Sequence, residues 1–252
     1  MAKGKLSARQ KMINLMYLIF IAMLALNMSK EVLSAFGKIN EKLTESNKAA
    51  TERNTAFMAS LEQQALDQPE KYEPLMAKAD KISSLASEFN SYLSDLKAKM
   101  NATVEDPEDY EIMDRADYLD EHFFIGDKLK PEGQEFLDHI AKFRDGVTEV
   151  LADSPQFAKI SEDVQKKFNT DPVVNRDNVK MDYLDYHYKG YPLVASLTKM
   201  TQMQADVKTT ESEVLSAMSR GVLTKEVSFT NYGTLLQTKK SAFFNGEMFD
   251  GE

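Results

Sequence analysis

The sequence predicts a mainly α fold. A single N-terminal transmembrane helix over 12–29 continues into an antiparallel four-helix bundle over 30–220, and a small β-rich domain starts over 221–252. Three observations predict it. The 18 residues between Lys11 and Lys30 carry no formal charge. Four long stretches then repeat apolar residues at 3–4 spacing, the mark of helices with one buried face. After Gly221 the chain mixes β-branched, aromatic, Gly and Asn residues, which reads as short strands and turns.

The apolar run lies between unequal flanks. Residues 1–11 hold Lys3, Lys5, Arg9 and Lys11 and no acid, so the remainder of a chain of net charge −9 carries −13. An acidic body repels phosphate, which excludes a nucleic-acid binder. Basic residues before an apolar run keep that end in the cytoplasm, leaving about 220 residues outside. Eighteen helical residues reach ~27 Å, the thickness of a hydrocarbon core. A cleaved leader needs small residues at its end, and Ala25-Leu26-Asn27 does not supply them. Asn14, Tyr17 and Asn27 are the polar interruptions of this span.

The first stripe of the body is Leu33, Phe36, Asn40, Leu43, Asn47, Ala50, Asn54, Phe57 and Leu61. In heptad terms Leu33, Asn40, Asn47, Asn54 and Leu61 share one position, and the same series extends back through Leu26, Ile19 and Met12. One unbroken helix from the membrane into the exterior domain is therefore expected. Asn40, Asn47 and Asn54 either form polar layers that fix register or face a groove or water. Gly37 marks either a hinge or a close approach between helices. Pro69 and Pro74 are expected to end this helix. The second seam is Leu75, Ala79, Ile82, Ala86, Phe89, Leu93, Leu96 and Met100.

Residues 102–130 are acidic, lack the spacing of a calcium loop, and read as a solvated connection with aromatic anchors. Pro131 starts a third helix with Phe136, Ile140, Phe143, Val147 and Val150 inward; Pro155 interrupts it, and Phe157, Ile160, Val164 and Phe168 resume the stripe. A second connection, 169–191, is rich in Asp and Tyr. Pro192 opens a fourth helix with Val194, Leu197, Met200 or Thr201, Gln204, Val207, Glu211, Val214 and Met218 in its seam. The thirty residues after Gly221 are too few for a stable β domain alone, so the sequence reads as cut soon after a second domain begins.

Chemistry of the enzymatic kind is not signalled. The chain has no Cys and three His without metal-pair spacing, so no metal site or other cofactor is expected. No Walker loop, dinucleotide fingerprint, nucleophile elbow or HExxH motif is present. Tyr183, Tyr186, Tyr188 and Tyr191 offer a sugar or peptide platform, and the plainer reading is that they pack a connection against the bundle. Arg9 stands just before the apolar run with Tyr17 eight residues on, ~80° apart in helical direction. Either Arg9 snorkels to headgroups, or it pairs with an intramembrane acid. Residues 1–30 contain no acid, so that acid belongs to another polypeptide.

The basic arm with Arg9, the run NLMYLIFIAMLALNMSKEVLSAF and the stretch YPLVASLTKMTQMQADVKTTESEVLSAM together resemble the GldM/PorM family. These are inner-membrane motor subunits of Bacteroidetes gliding motility and type IX secretion. The resemblance implies a homodimer whose two membrane helices sit inside a ring of GldL-like subunits carrying an intramembrane Glu. It implies an N-terminus in the cytoplasm, a periplasmic bulk and contact with the outer-membrane complex. Proton flow is the implied driver, with H+ as coupling ion, and Arg9 and Tyr17 match the family's ring-facing positions. A single-span scaffold or sensor without ion coupling is the competing expectation.

Overall fold

A computed structural model of the chain describes the backbone of residues 7–115 and 117–226, and the side chains of those residues other than 23–29 and 220–226. The fold is mainly helical. The elements run α1 (Ala8–Asp67), α2 (Pro69–Asn101), a 3-10 turn (Tyr110–Ile112), α3 (Asp117–Phe123), the hairpin β1 (Phe124–Ile125) and β2 (Lys128–Leu129), and α4 (Pro131–Leu151). A second 3-10 turn (Pro155–Phe157), α5 (Ala158–Lys167), the hairpin β3 (Val173–Val174) and β4 (Lys180–Met181), α6 (Tyr183–His187) and α7 (Leu193–Glu226) follow.

α1 is one helix of 60 residues, about 90 Å long. Its sequence contains no proline and one glycine, so nothing removes a backbone donor along it. Ser7 caps its start by accepting from the Gln10 amide at 3.3 Å. Only Gln68 separates it from α2. The expected break at Pro74 does not occur: α2 starts with Pro69 in its first turn and carries Pro74 inside it. A proline this near the N-terminus removes one early bond and leaves the rest of the ladder intact.

Every residue of the second seam from Ala79 to Met100 is buried, and so are the fourth-seam residues from Val194 to Met218. The connections are more ordered than expected. Residues 102–130 contain α3 and the β1–β2 hairpin, which turns through Gly126 at φ 61°, a conformation glycine adopts without strain. Met113, Leu119, Phe123 and Phe124 of this segment enter the core. Between 169 and 191 lie the β3–β4 hairpin and α6. α7 runs on through Gly221 to Glu226, so residues 221–226 are helical rather than the start of strands. The remainder of the expected β-rich segment, 227–252, lies outside the described residues.

The long helices differ from a simple antiparallel bundle in direction. Thr198 meets Phe36, Thr201 meets Asn47 and Lys208 meets Asn54, so α7 runs parallel to α1. α2 runs opposite to both, since Ser83 meets Glu211 and Ser94 meets Gln204. α1, α2 and α7 pack on one another, α4 lies on α2, and α5 packs on both α4 and α7. The extra reversal is α5. Pro155 closes a turn that folds α5 back along α4, bringing the Phe143 and Phe168 rings to 4.9 Å. Around α4 the core is aromatic: Phe143 lies 5.8 Å from Phe89, and Phe136 packs within 5.4 Å of Phe123 and Tyr188.

Candidate functional site along the long helix

The N-terminal part of α1 stands clear of the body. From Ala8 to Ala22 every residue is exposed, and among the described residues the first buried one is Leu33. That is ~38 Å of helix axis. Met12, Leu15, Met16, Leu18, Ile19 and Phe20 are exposed on all sides of it. A helix apolar all round matches a surrounding of lipid or other helices, not water. Among the described residues no helix is long and apolar enough to cross a membrane. The expected span 12–29 lies partly outside them, since residues 23–29 have no described side chains.

Arg9 is the second residue of α1, exposed and without an ion-pair partner among the described residues. Tyr17 is 67% exposed and stands ~12 Å further along the axis. Asn14 accepts from Gln10 Nε2 at 3.4 Å, a contact within its own helix. Asn27 falls among the side chains outside the described residues. Arg9, Asn14 and Tyr17 thus share one exposed helical segment.

Where α1 joins the body it is braced. Gly37 lies under the ring of Tyr110: a Cβ there would fall 2.0 Å from Tyr110 Cδ2. Of the two readings of Gly37, close approach is the observed one, and the helix passes through without a break. Burial, and then hydrogen bonding to Glu41, hold the Tyr110 phenol above its ordinary pKa. Lys30 pairs with Glu111 at 3.2 Å. The same segment reaches α7, where the amides of Leu193 and Val194 donate to the carbonyls of Arg115 and Met113. Thr198 Oγ1 donates to the Phe36 carbonyl at 3.1 Å. Residues 110–115 are therefore a collar that ties α1 to the start of α7.

Beyond the collar, the three Asn of the heptad series all face α7. Asn40 Oδ1 accepts from Thr201 Oγ1 at 2.6 Å, and Asn47 Nδ2 donates to the Thr201 carbonyl at 3.0 Å. Asn54 Nδ2 donates to the Lys208 carbonyl at 3.0 Å and to Glu211 Oε2 at 2.8 Å, while its Oδ1 accepts from Ser212. Glu211 also accepts from Ser83 of α2 at 2.7 Å. Gln204 donates to Ser94 and to the Asn90 carbonyl and accepts from Lys97. Polar side chains thus join three helices where an apolar seam is usual. Spacing puts Gln204 and Glu211 in the seam of α7 without giving them a role. Their signal was their polarity on a buried stripe, which requires partners on the facing helices.

The tyrosine-rich segment packs rather than forming an open platform. Tyr188 is buried among Phe123 and Phe136, and Tyr183 is pushed up to about 12 by burial. Lys199 of α7 clasps this segment, donating to the His187 carbonyl with its ammonium 3.5 Å from the Tyr191 ring centre. Burial pushes Lys199 down to about 8. Among the described residues no group of three or more His, Cys, Asp or Glu is placed to hold a metal ion.

A family model described as the GldM N-terminal domain matches residues 31–221. That interval runs from the foot of the exposed helix through the last turns of α7. A comparison with curated proteins finds no match.

Proposed function

We propose, from the premise that the chain belongs to the GldM family, that it is a subunit of a proton-driven rotary motor in the inner membrane that powers gliding and type IX secretion. Membership itself associates the chain with that machinery. The single observation that carries the motor reading is the form of α1. One helix runs without a break from Arg9, through an exposed apolar segment, past a collar, and into a polar seam with α7. A passive anchor needs the apolar segment alone. A transmitting part also needs a stiff connection and a fixed attachment, and both features support that role.

In this reading the apolar segment crosses the inner membrane with the N-terminus in the cytoplasm. Two copies sit within a ring of GldL-like subunits, and Arg9 and Tyr17 face the ring. A ring Glu pairs with Arg9 in one angular position and takes up a proton in another. One charge crossing ~100 mV supplies ~2.3 kcal/mol, so several protons drive each substantial step. Torque enters α1, passes the collar, and spreads into the body through the bonds of Asn40, Asn47 and Asn54 to α7. The periplasmic part carries it towards the outer-membrane complex.

The test is substitution of Arg9 by Ala and by Lys in cells, with membrane abundance measured. Loss of gliding and secretion at normal abundance is the expected result for Arg9→Ala. Normal motility and secretion in both variants would sink ion coupling through Arg9 and leave a single-span scaffold or sensor. Cysteine cross-linking along 12–28 should in addition trap two copies of the chain.

A further inference from the structure

α1 keeps one apolar face open after it joins the body. Val32 is 52% and Ile39 50% exposed, Ala35 between them is exposed, and Phe36 and Leu43 beside them are half-buried. At ~100° per residue these five fall within a sector of about 100°. The charged residues Glu31, Lys38, Glu41 and Lys42 occupy the next sector, so the strip itself carries no charge. The collar lies on the far side. Gly37, which meets Tyr110, and Lys30, which pairs with Glu111, stand roughly 150° from the middle of the strip. Single exposed apolar residues are ordinary. A contiguous strip of them beside a charged sector marks a contact surface.

The spacing identifies the occupant. Val32, Ala35 and Ile39 follow one another at 3 and 4 residues, and below them the sequence keeps that spacing through Met28, Ala25, Ile21 and Leu18. Leu18 and Ile21 are exposed as well. This series is distinct from that of Asn40 and Asn47, which face α7. In heptad terms Leu18, Ala25, Val32 and Ile39 take position a, and Ile21, Met28 and Ala35 take position d. The series runs for about three heptads, the length at which such a pattern specifies a paired helix. Its partner must offer a parallel apolar helix at the same heights, along the exposed segment and for ~14 Å beyond Lys30. A second copy of α1 does so residue for residue, and a strip without charge meets its own image without repulsion. In the same register Arg9 falls at position f, the one turned farthest from the paired helix.

We propose that two copies of the chain pair along this face, each residue of the strip against its counterpart, so that a parallel coiled coil carries on from the exposed segment into the base of the two bodies. The inference rests on the two-copy reading above and adds where the copies touch outside the membrane. It also turns both Arg9 side chains outward, away from the pair.

The test uses the full chain, which contains no cysteine, reconstituted in liposomes with one cysteine at a time: Leu18→Cys, Val32→Cys, Ile39→Cys or Lys48→Cys. Lys48 is exposed on the opposite side of α1. Mild oxidation should link Val32→Cys and Ile39→Cys into dimers and leave Lys48→Cys monomeric. Ile39→Lys sets two ammonium groups against each other at a half-exposed position. It should weaken dimerisation by about tenfold or more, read by energy transfer on dilution in detergent micelles, with helical circular dichroism unchanged. A link at Leu18→Cys with none at Val32→Cys and Ile39→Cys overturns the inference, keeps the two-copy reading, and leaves the strip to a different protein. Links at Val32→Cys and Ile39→Cys without one at Leu18→Cys keep the strip and overturn pairing within the exposed segment. No link at any position overturns both. Equal linking of Lys48→Cys, or dimerisation unchanged in Ile39→Lys, overturns the strip as the contact.

Discussion

Single residues decide how firmly the long helix is held. Gly37 is the clearest, because any side chain there meets the Tyr110 ring. Gly37→Ala should lower stability by about 1–2 kcal/mol, the overpacking cost less the gain in helix propensity. In a Tyr110→Ala background the same substitution should instead stabilise by about 1 kcal/mol. Urea unfolding of the four chains of that cycle checks the change of sign. Asn54 is the second such residue. Asn54→Ala deprives the buried Glu211 of a donor and should cost about 2–3 kcal/mol, measured in the same way. Lys199 sets a pH dependence. Its folded pKa, about 8, lies below the ordinary lysine value, so the unfolded chain holds the proton longer. The penalty is constant below pH 8, and stability should rise as pH climbs from 8 towards the ordinary value. Relative to a Lys199→Met chain, the wild type should gain stability between pH 8 and 9.5 and show a flat difference below. A falling difference would contradict the assignment.

At the scale of elements, the helices were legible and one direction was not. Ala79, Ile82, Ala86, Phe89, Leu93, Leu96 and Met100 announce α2 by spacing alone, and each is buried. The continuity of α1 was legible for the same reason, aided by the absence of proline. In sequence Pro155 looks like an interruption within one helix, whereas it reverses the chain into α5. Spacing counts residues per turn and is blind to which way a segment runs, so one uncounted reversal turned α7 from antiparallel to parallel with α1. The connections failed differently. Leu119, Phe123 and Phe124 are buried in a segment too short and too acidic for a periodic signal. Of the candidate site, Arg9 and Tyr17 rest on the resemblance, while the contacts of Asn40, Asn47 and Asn54 needed the position of α7. From spacing alone those three stay open between register and groove, because an Asn on a buried stripe does not name its partner.

For the whole molecule, the arrangement divides labour between two kinds of interior. Around α4 the interior is built mainly of stacked and tilted aromatic rings, whereas α1, α2 and α7 are joined by buried directional bonds that resist sliding. Because α1 has no loop between Arg9 and the collar, the helix also works as a protractor. Each residue inserted between the exposed segment and Leu33 turns Arg9 about 100° relative to the body. Under the proposed coupling through Arg9, one added alanine after Lys30 should misalign it and abolish motility at normal abundance. Seven added alanines return the bearing to within about 20° while moving it ~10 Å, and should restore part of the activity. Equal motility in both insertions would mean that the bearing of Arg9 is not read by its neighbours. What an unbroken helix hands from one end to the other is thus an angle as well as a length.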